Sequence, residues 1–362
     1  MLKTWTVATV CILLSPVAVR AAQAKNLIVG VNFHDEQYHP SHADQDAEIK
    51  RLVDSGVKTI RTGLGWNSAY FIIQAYQHGI STDAIVNADS TSKAKLRGPG
   101  RGFPLSEVDP KAFANWFKIN LDRLEAGGVR LSAIELGNEL NTARFNGDIA
   151  APGSGRVLGL ADLKNPKDPE APAIVAGYRR YLEVAAVLKD LRNHSKLNQT
   201  TPILSGASGD WGPPGPKSWN HEVGVNMPDS IEFLRENGLD KLVDGYAVHV
   251  YPSGDPHLSI AERVASLEKT IFNACGEGTK LCWLTEWGLP NPSQACPPVN
   301  ENLRRKAVQD ERTAFEHFVK KGRLAAIFYY SWGSDVPGPT ESYAIFRCGG
   351  LTEAGKLALS PM

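Results

Sequence analysis

The stretch Ile134-Glu135-Leu136-Gly137-Asn138-Glu139-Leu140-Asn141 opens as an apolar, strand-like run and closes in polar residues with no evident core partner. A second stretch, Trp283-Leu284-Thr285-Glu286-Trp287-Gly288, has the same form late in the chain. Each puts a glutamate where a strand stops. The rest of the sequence decides whether two such strand ends can meet.

Outward from these stretches, two periodicities alternate along the chain. Short apolar runs read as strands over 26–33, 57–64, 83–87, 129–139, 202–206, 243–251, 280–286 and 324–332. Helical spacing fills 43–55, 68–78, 110–126, 174–191, 230–237, 260–273, 302–321 and 352–359. The punctuation agrees: Asp109 can cap the free amides of a helix starting at Pro110, and Gly127-Gly128 stops it. Eight strands alternating strictly with eight helices imply parallel strands with helical crossovers. At this length the count predicts an α/β fold, a single (β/α)8 TIM barrel. An open doubly wound sheet is the competing arrangement, but no Gly-rich phosphate loop follows the first strand. The Gly/Pro/Asp-rich stretch 141–171 is too long for a routine connection and reads as a functional or mobile insertion.

Residues 1–24 read as a secretory signal, with Lys3 as the basic start, an apolar middle over 5–14, and a small-x-small cleavage site at Ala22-Gln23-Ala24. The expected mature domain is 25–362, a barrel of 338 residues that is secreted or periplasmic. No other stretch reaches the roughly 18 apolar residues that a membrane span needs. The chain has 39 basic and 39 acidic residues, and losing Lys3 and Arg20 leaves 37 against 39. Such a balance offers no field for nucleic acid. Cys11 leaves with the signal, so Cys275, Cys282, Cys296 and Cys348 remain. An even count in an exported chain favours disulfides. Three connectivities are open, of which the sequence-local one pairs Cys275 with Cys282 and Cys296 with Cys348. A zinc site is the other reading, but no C-x-x-C is present.

In a barrel of this kind the chemistry lies at the C-terminal strand ends. There the sequence places Glu139 and Glu286, with Arg61, Asn138, His249 and Tyr251, and the flat rings of Trp66, Trp287 and Trp332. Paired carboxylates suit cleavage of a glycosidic bond: a protonated one releases the leaving oxygen, and an ionised one attacks the anomeric carbon. Arg61 can hold Glu286 ionised by charge pairing, and Tyr251 can donate to it. Glu139 then takes the acid role, Asn138 can bond a sugar hydroxyl, and the tryptophans offer faces to pyranose rings. Glu135 shares strand parity with Glu139 and reads as a buried, paired carboxylate. The group His34-Asp35-Glu36 with His39 and His42 fits no common metal-ligand spacing, so no metal is expected.

These residues resemble the clan A retaining glycoside hydrolases, whose acid/base follows Asn at the end of strand four and whose nucleophile ends strand seven. Asn138-Glu139 and Glu286 fall on those strands. Lys58-Thr59-Ile60-Arg61 is similar to the Arg-bearing second strand of the cellulase-like family five. His249-Val250-Tyr251 resembles its His-x-Tyr strand, and Ser331-Trp332 its eighth-strand Trp. Glu135-Leu136-Gly137-Asn138-Glu139 is equally similar to families thirty-nine, fifty-one and seventy-nine, and Leu140 stands where family five often has Pro. The resemblance implies a two-step retaining hydrolysis of a β-linked oligo- or polysaccharide, with Glu139 as acid/base and Glu286 as nucleophile. It implies no metal or organic cofactor, and a monomer is expected. A transglycosylase on the same scaffold and a non-catalytic carbohydrate-binding barrel are the alternatives.

Overall fold

The computed structural model describes residues 27–34, 41–65, 68–88, 91, 101–209, 214–216, 223–255, 257–275, 280–293, 295–333 and 341–362. The expected signal, Trp66, and the 35–39 part of the acidic and histidine group lie outside the described residues. The strands are β1 (Ile28–Asn32), β2 (Thr59–Gly63), β3 (Ser81–Val86), β4 (Ala133–Leu136), β5 (Ile203–Leu204), β6 (Gly245–Val250), β7 (Leu281–Trp287) and β8 (Leu324–Tyr329). They close into one parallel barrel in the order β1-β8-β7-β6-β5-β4-β3-β2, with β2 pairing back onto β1. The helices α1 (His42–Asp54), α2 (Ser68–Gln77), α3 (Pro110–Ala126), α4 (Ala171–Asn193), α5 (Met227–Glu236), α6 (Ile260–Cys275), α7 (Glu301–Lys320) and α8 (Glu353–Ala358) each follow the strand of the same number. This is the expected (β/α)8 barrel.

The barrel interior is filled by large and small side chains in alternation. Trp283 and Phe328 pack among Ala133, Leu204, Ala207, Ala247 and Ala326. Room for the Phe328 ring comes from Gly30, where an added Cβ would sit 2.6 Å from that ring. A second core lies between strands and helices, with Phe33 stacked on Phe71 (ring centroids 4.6 Å apart) and Trp287 against Phe315 of α7. Asp109 caps α3 by accepting from the Lys111 amide at 2.9 Å, and Gly128 (φ +78°) turns the chain out of it.

Two strands stop three residues earlier than their sequence suggests. β4 ends at Leu136, because Gly137 turns the chain with φ +90°. β8 ends at Tyr329 rather than Trp332. The 141–171 insertion is built into the fold. Its strand Arg156–Leu158 lies between Gly215–Pro216 and Gly224–Val225, and Asn141, Asn146 and Ile149 are fully buried. Disulfides join Cys275 to Cys282 and Cys296 to Cys348, each with Cα atoms 5.7 Å apart. Among the described residues no helix is long and apolar enough to cross a membrane.

Candidate active site

Arg61, on β2, points into the C-terminal mouth of the barrel with no solvent exposure. Burying a guanidinium is costly unless each N–H finds an acceptor. Here Nε and Nη2 grip both oxygens of Glu135 on β4 at 2.7 and 2.8 Å. Nη1 donates to Asn32 Oδ1 and Glu286 Oε1, both at 2.8 Å. Nη2 also donates to Asn138 Oδ1 at 2.8 Å. Glu135 is thus the buried, paired carboxylate that strand parity suggests.

Glu286 lies near the end of β7 with its side chain 9% exposed. Besides Arg61 it accepts from the Tyr251 hydroxyl at 2.5 Å, and His249 Nδ1 lies 3.4 Å from its second oxygen. Burial alone would raise its pKa. The His249 imidazole, the Arg61 guanidinium and the Tyr251 hydroxyl outweigh that and bring the carboxyl down to about 2. His249 Nε2 lies 3.4 Å from Arg61 Nη2. His249 Nδ1 faces carboxylate oxygens of Glu139 and Glu286, and a nitrogen facing acceptor-only groups carries a ring proton.

Glu139 reaches the mouth by a different route. Beyond the Gly137 turn, its own backbone takes φ +38°, which is rare for a residue with a Cβ. Its carboxylate Oε1 lies 3.0 Å from the same His249 Nδ1, and its side chain is 25% exposed. The two facing glutamate oxygens lie 3.0 and 3.4 Å from one nitrogen, so they are at most 6.4 Å apart. Gly209, past β5, leaves space for Glu139: a Cβ there would come within 2.9 Å of Oε1. Asn141 fixes this wall by bonding the Gly209 amide and carbonyl and the Val225 carbonyl at 2.8–3.0 Å.

The structure therefore gathers Arg61, Asn138, Glu139, His249, Tyr251 and Glu286 at one rim. It does not bring Trp287 or Trp332 there. Trp287 is enclosed between Phe315 and Tyr329, and Trp332 stacks on Phe346 while its indole N–H bonds Glu48. Neither has a free face to stack on a sugar, which corrects that expectation. The ring at the end of β8 is Tyr330, half-buried and edged by Tyr251, Tyr343 and His34. It directly follows the last strand residue, and its parity matches Ala326 and Phe328 on the inner face, so alternation could have found it. His34 is driven down to about 4, mainly by burial, and so stays neutral over the ordinary range. Asp83 on β3 pairs in register with Arg61, and neither of its oxygens has a hydrogen-bond partner among the described residues. Burial and the neighbouring Glu135 push its carboxyl well above the usual range, against the pull of Arg61. Its sequence signal is an acid inside the apolar run Asp83-Ala84-Ile85-Val86. Among the described residues no group of three or more His, Cys, Asp or Glu side chains could hold a metal ion.

No protein-family model matches the chain, and no curated protein matches its sequence. Solved structures do match across most of its length. A family 39 glycoside hydrolase from the gut symbiont Bacteroides cellulosilyticus WH2 superposes with a TM-score of 0.55 at 16% identity, covering 93% of this chain and 63% of that one. An exo-β-1,4-mannosidase from Opitutaceae bacterium strain TAV5 gives 0.55 at 14% identity, covering 92% and 58%. A fungal β-1,4-galactanase gives 0.54 at 13% identity, covering 94% and 96%. The chain thus spans less than two thirds of the first two and nearly all of the third. At these identities the likeness is one of fold: the chain carries the same (β/α)8 barrel as these three proteins.

Proposed function

We propose that this protein is a retaining glycoside hydrolase acting on a β-linked glycan. The observation that carries the reading is the pair of carboxylates sharing His249 Nδ1, one clamped ionised and the other freer. Their facing oxygens, Glu139 Oε1 and Glu286 Oε2, are at most 6.4 Å apart. Retaining enzymes hold their carboxyl groups about 5–5.5 Å apart, and inverting ones about 6.5–9.5 Å.

In the first step a Glu286 oxygen attacks the anomeric carbon. The bond to the leaving oxygen breaks, and Glu139 gives that oxygen its proton. Arg61 and Tyr251 keep Glu286 ionised and point its lone pairs. In the second step Glu139 takes a proton from water, and the hydroxide portion displaces Glu286. The ester bond breaks and the free sugar leaves with its original anomeric configuration. His249 donates to whichever carboxylate carries the charge. Asn138 and Tyr330 border the space where the sugar would lie.

Two of the structural neighbours, the β-1,4-galactanase and the exo-β-1,4-mannosidase, are enzymes of β-1,4 linkages, which supports the choice of a β-linked substrate. The two disulfides support an oxidising compartment, in keeping with a signal over 1–24 and a mature domain over 25–362.

The test is a panel of aryl β-glycosides and β-linked oligosaccharides, with the first-formed anomer followed by NMR. The expected result is a β-anomer product, and loss of turnover with retained glycan binding in Glu286→Gln. An α-anomer product would replace retention by inversion. Glycan binding without cleavage by the wild type would favour a binding barrel, and transfer to an added acceptor sugar in preference to water would make it a transglycosylase.

A further inference from the structure

The chain turns tightly just after Glu139. The Thr142 amide donates to the Glu139 carbonyl, and the Asn146 amide to the Thr142 carbonyl, both at 2.9 Å. The Asn146 side chain donates to the Leu140 carbonyl at 3.1 Å and accepts from the Asp148 amide at 3.0 Å. Gly102 packs so closely on this turn that a Cβ there would come within 2.5 Å of the Phe145 backbone. Over 140–149 every residue but Arg144 and Phe145 is buried, and Arg144 is exposed. A fixed, buried turn therefore presents a single cation.

That cation faces the mouth of the barrel. Arg144 lines a small hollow with Asn87, Gly137 and Asn138, past the ends of β3 and β4. Its charge is felt across the rim, at His34 after β1 and at Tyr330 after β8. Burial and Glu286 push the Tyr330 hydroxyl up, and Arg144 opposes them more strongly than Arg61 does. Other arginines of this region are spent on the fold: Arg101 on the Ile149 and Ala151 carbonyls, and Arg156 on Asp168 and Glu170. The Arg144 guanidinium lies over the neighbouring Phe145 ring, 5.3 Å from its centroid, and among the described residues no carboxylate or carbonyl accepts from it.

The charge balance of the mouth says what this fork is for. Arg61 is offset by Glu135, so ionised Glu286 leaves the mouth negative. A neutral sugar has no need of a rim cation there, whereas an anionic one would be repelled without it. The planar guanidinium matches the paired oxygens of a carboxylate or a sulfate. We infer that the sugar unit held in the mouth carries a negative charge, a carboxylate or a sulfate ester, and that Arg144 recognises it. The inference rests on the proposed glycosidase reading and adds to it the class of glycan.

The test uses β-linked substrates that differ only in the charge of one sugar unit: aryl β-glucuronide with aryl β-glucoside, aryl β-galacturonide with aryl β-galactoside, the two neutral compounds sulfated on the same carbon, and the matching oligosaccharides. The readout is the ratio of kcat/KM for the charged member over the neutral one. The wild type should favour the charged member of the set it cleaves, and the better of carboxylate and sulfate identifies the group. Arg144→Gln, at an exposed position with no hydrogen bond to lose, should lower the ratio about ten- to a hundredfold, the size of a hydrogen-bonded pair with a charged group. Arg144→Lys should restore part of it. An arginine that merely offsets the charge of Glu286 would change both members together and leave the ratio where it was. A wild type that favours the neutral member, or a ratio unmoved in Arg144→Gln, overturns this inference and leaves the glycosidase reading standing. A wild type that cleaves no member of any set sinks both.

Discussion

Arg61 has five N–H groups, and the fold supplies an acceptor for each from Glu135, Asn32, Asn138 and Glu286. Such a guanidinium acts as a fixed positive charge, and Glu286 is its functional beneficiary. The Tyr251 hydroxyl adds a second donor from the opposite side. A donor that bonds the ionised form lowers the pKa, so Glu286 is available as an anion above about pH 2 and would be lost as the proposed nucleophile only below it. Tyr251→Phe removes that donor, so the pKa must rise and the acid limb of kcat/KM must move to higher pH. The expected move is about one pH unit, with kcat reduced about ten- to a hundredfold. A pH–rate profile of the variant checks this, and an unmoved acid limb would mean that the group titrating there is not the Glu286 carboxyl bonded by Tyr251. At this scale Arg61, Glu135, Asn138, Glu139, His249, Tyr251 and Glu286 were legible. Polar residues at the ends of apolar runs have no core role to compete with the reading. The three aromatic expectations were not all legible, because a tryptophan fits a core as readily as it fits a sugar.

The reason for that miss lies in the elements. Side chains alternate along a strand, so Trp283 inside would put Thr285 and Trp287 inside as well and turn Glu286 outward. The pairing of β7 with β6 breaks this pattern: Leu284 faces Val248, yet Glu286 already faces His249. One extra residue on β7 makes a bulge there, which brings Glu286 to the mouth and sends Trp287 to the helices. No periodicity announces such a residue. The end of β4 is a similar case. The sequence reads as a strand through Glu139, whereas the chain leaves the sheet after Leu136 and swings Glu139 in through backbone with positive φ at Gly137 and at Glu139 itself. The loop after β5 completes the arrangement by presenting Gly209 where a side chain would collide. Gly209→Ala puts a methyl 2.9 Å from Glu139 Oε1, so the carboxylate must move away from His249. Because the colliding group is the free end of a side chain, stability should change by under about 0.5 kcal/mol. If Glu139 is the acid, as proposed, activity should fall about tenfold or more, and more steeply on substrates with poor leaving groups, which depend most on it. Parallel thermal melts and kinetics on two leaving groups would show this. A large drop in Tm with an unaltered leaving-group dependence would make Gly209 a packing residue only.

At the scale of the whole molecule the alternation of strand and helix was enough to find the barrel, since eight parallel strands with helical crossovers have few ways to close. What periodicity could not show is how loops after different strands hold one another. The Cys296–Cys348 bond is one such link, joining the segment after β7 to the hairpin formed by Phe346–Arg347 and Gly350–Leu351. The same stretch is held by Arg347 donating to the Asn291 carbonyl at 3.1 Å and by Arg304 donating to the Ala344 carbonyl at 2.9 Å. It carries Tyr343, whose ring edges Tyr251 and Tyr330 at the mouth. The two disulfides close loops of very different length, with sequence separations of 52 and 7. If cross-links act by restricting the unfolded chain, the longer loop contributes more, about 4 kcal/mol against about 2.5 kcal/mol. A variant with serine at both Cys296 and Cys348 should therefore unfold at clearly lower temperature than one with serine at both Cys275 and Cys282. The first variant should also lose activity below its melting point, because Tyr343 and its neighbours loosen first. Calorimetry on both double variants, with residual activity measured across the same temperatures, decides it. Equal losses would mean that the native contacts of Arg304 and Arg347 already hold the segment and that the long cross-link adds little.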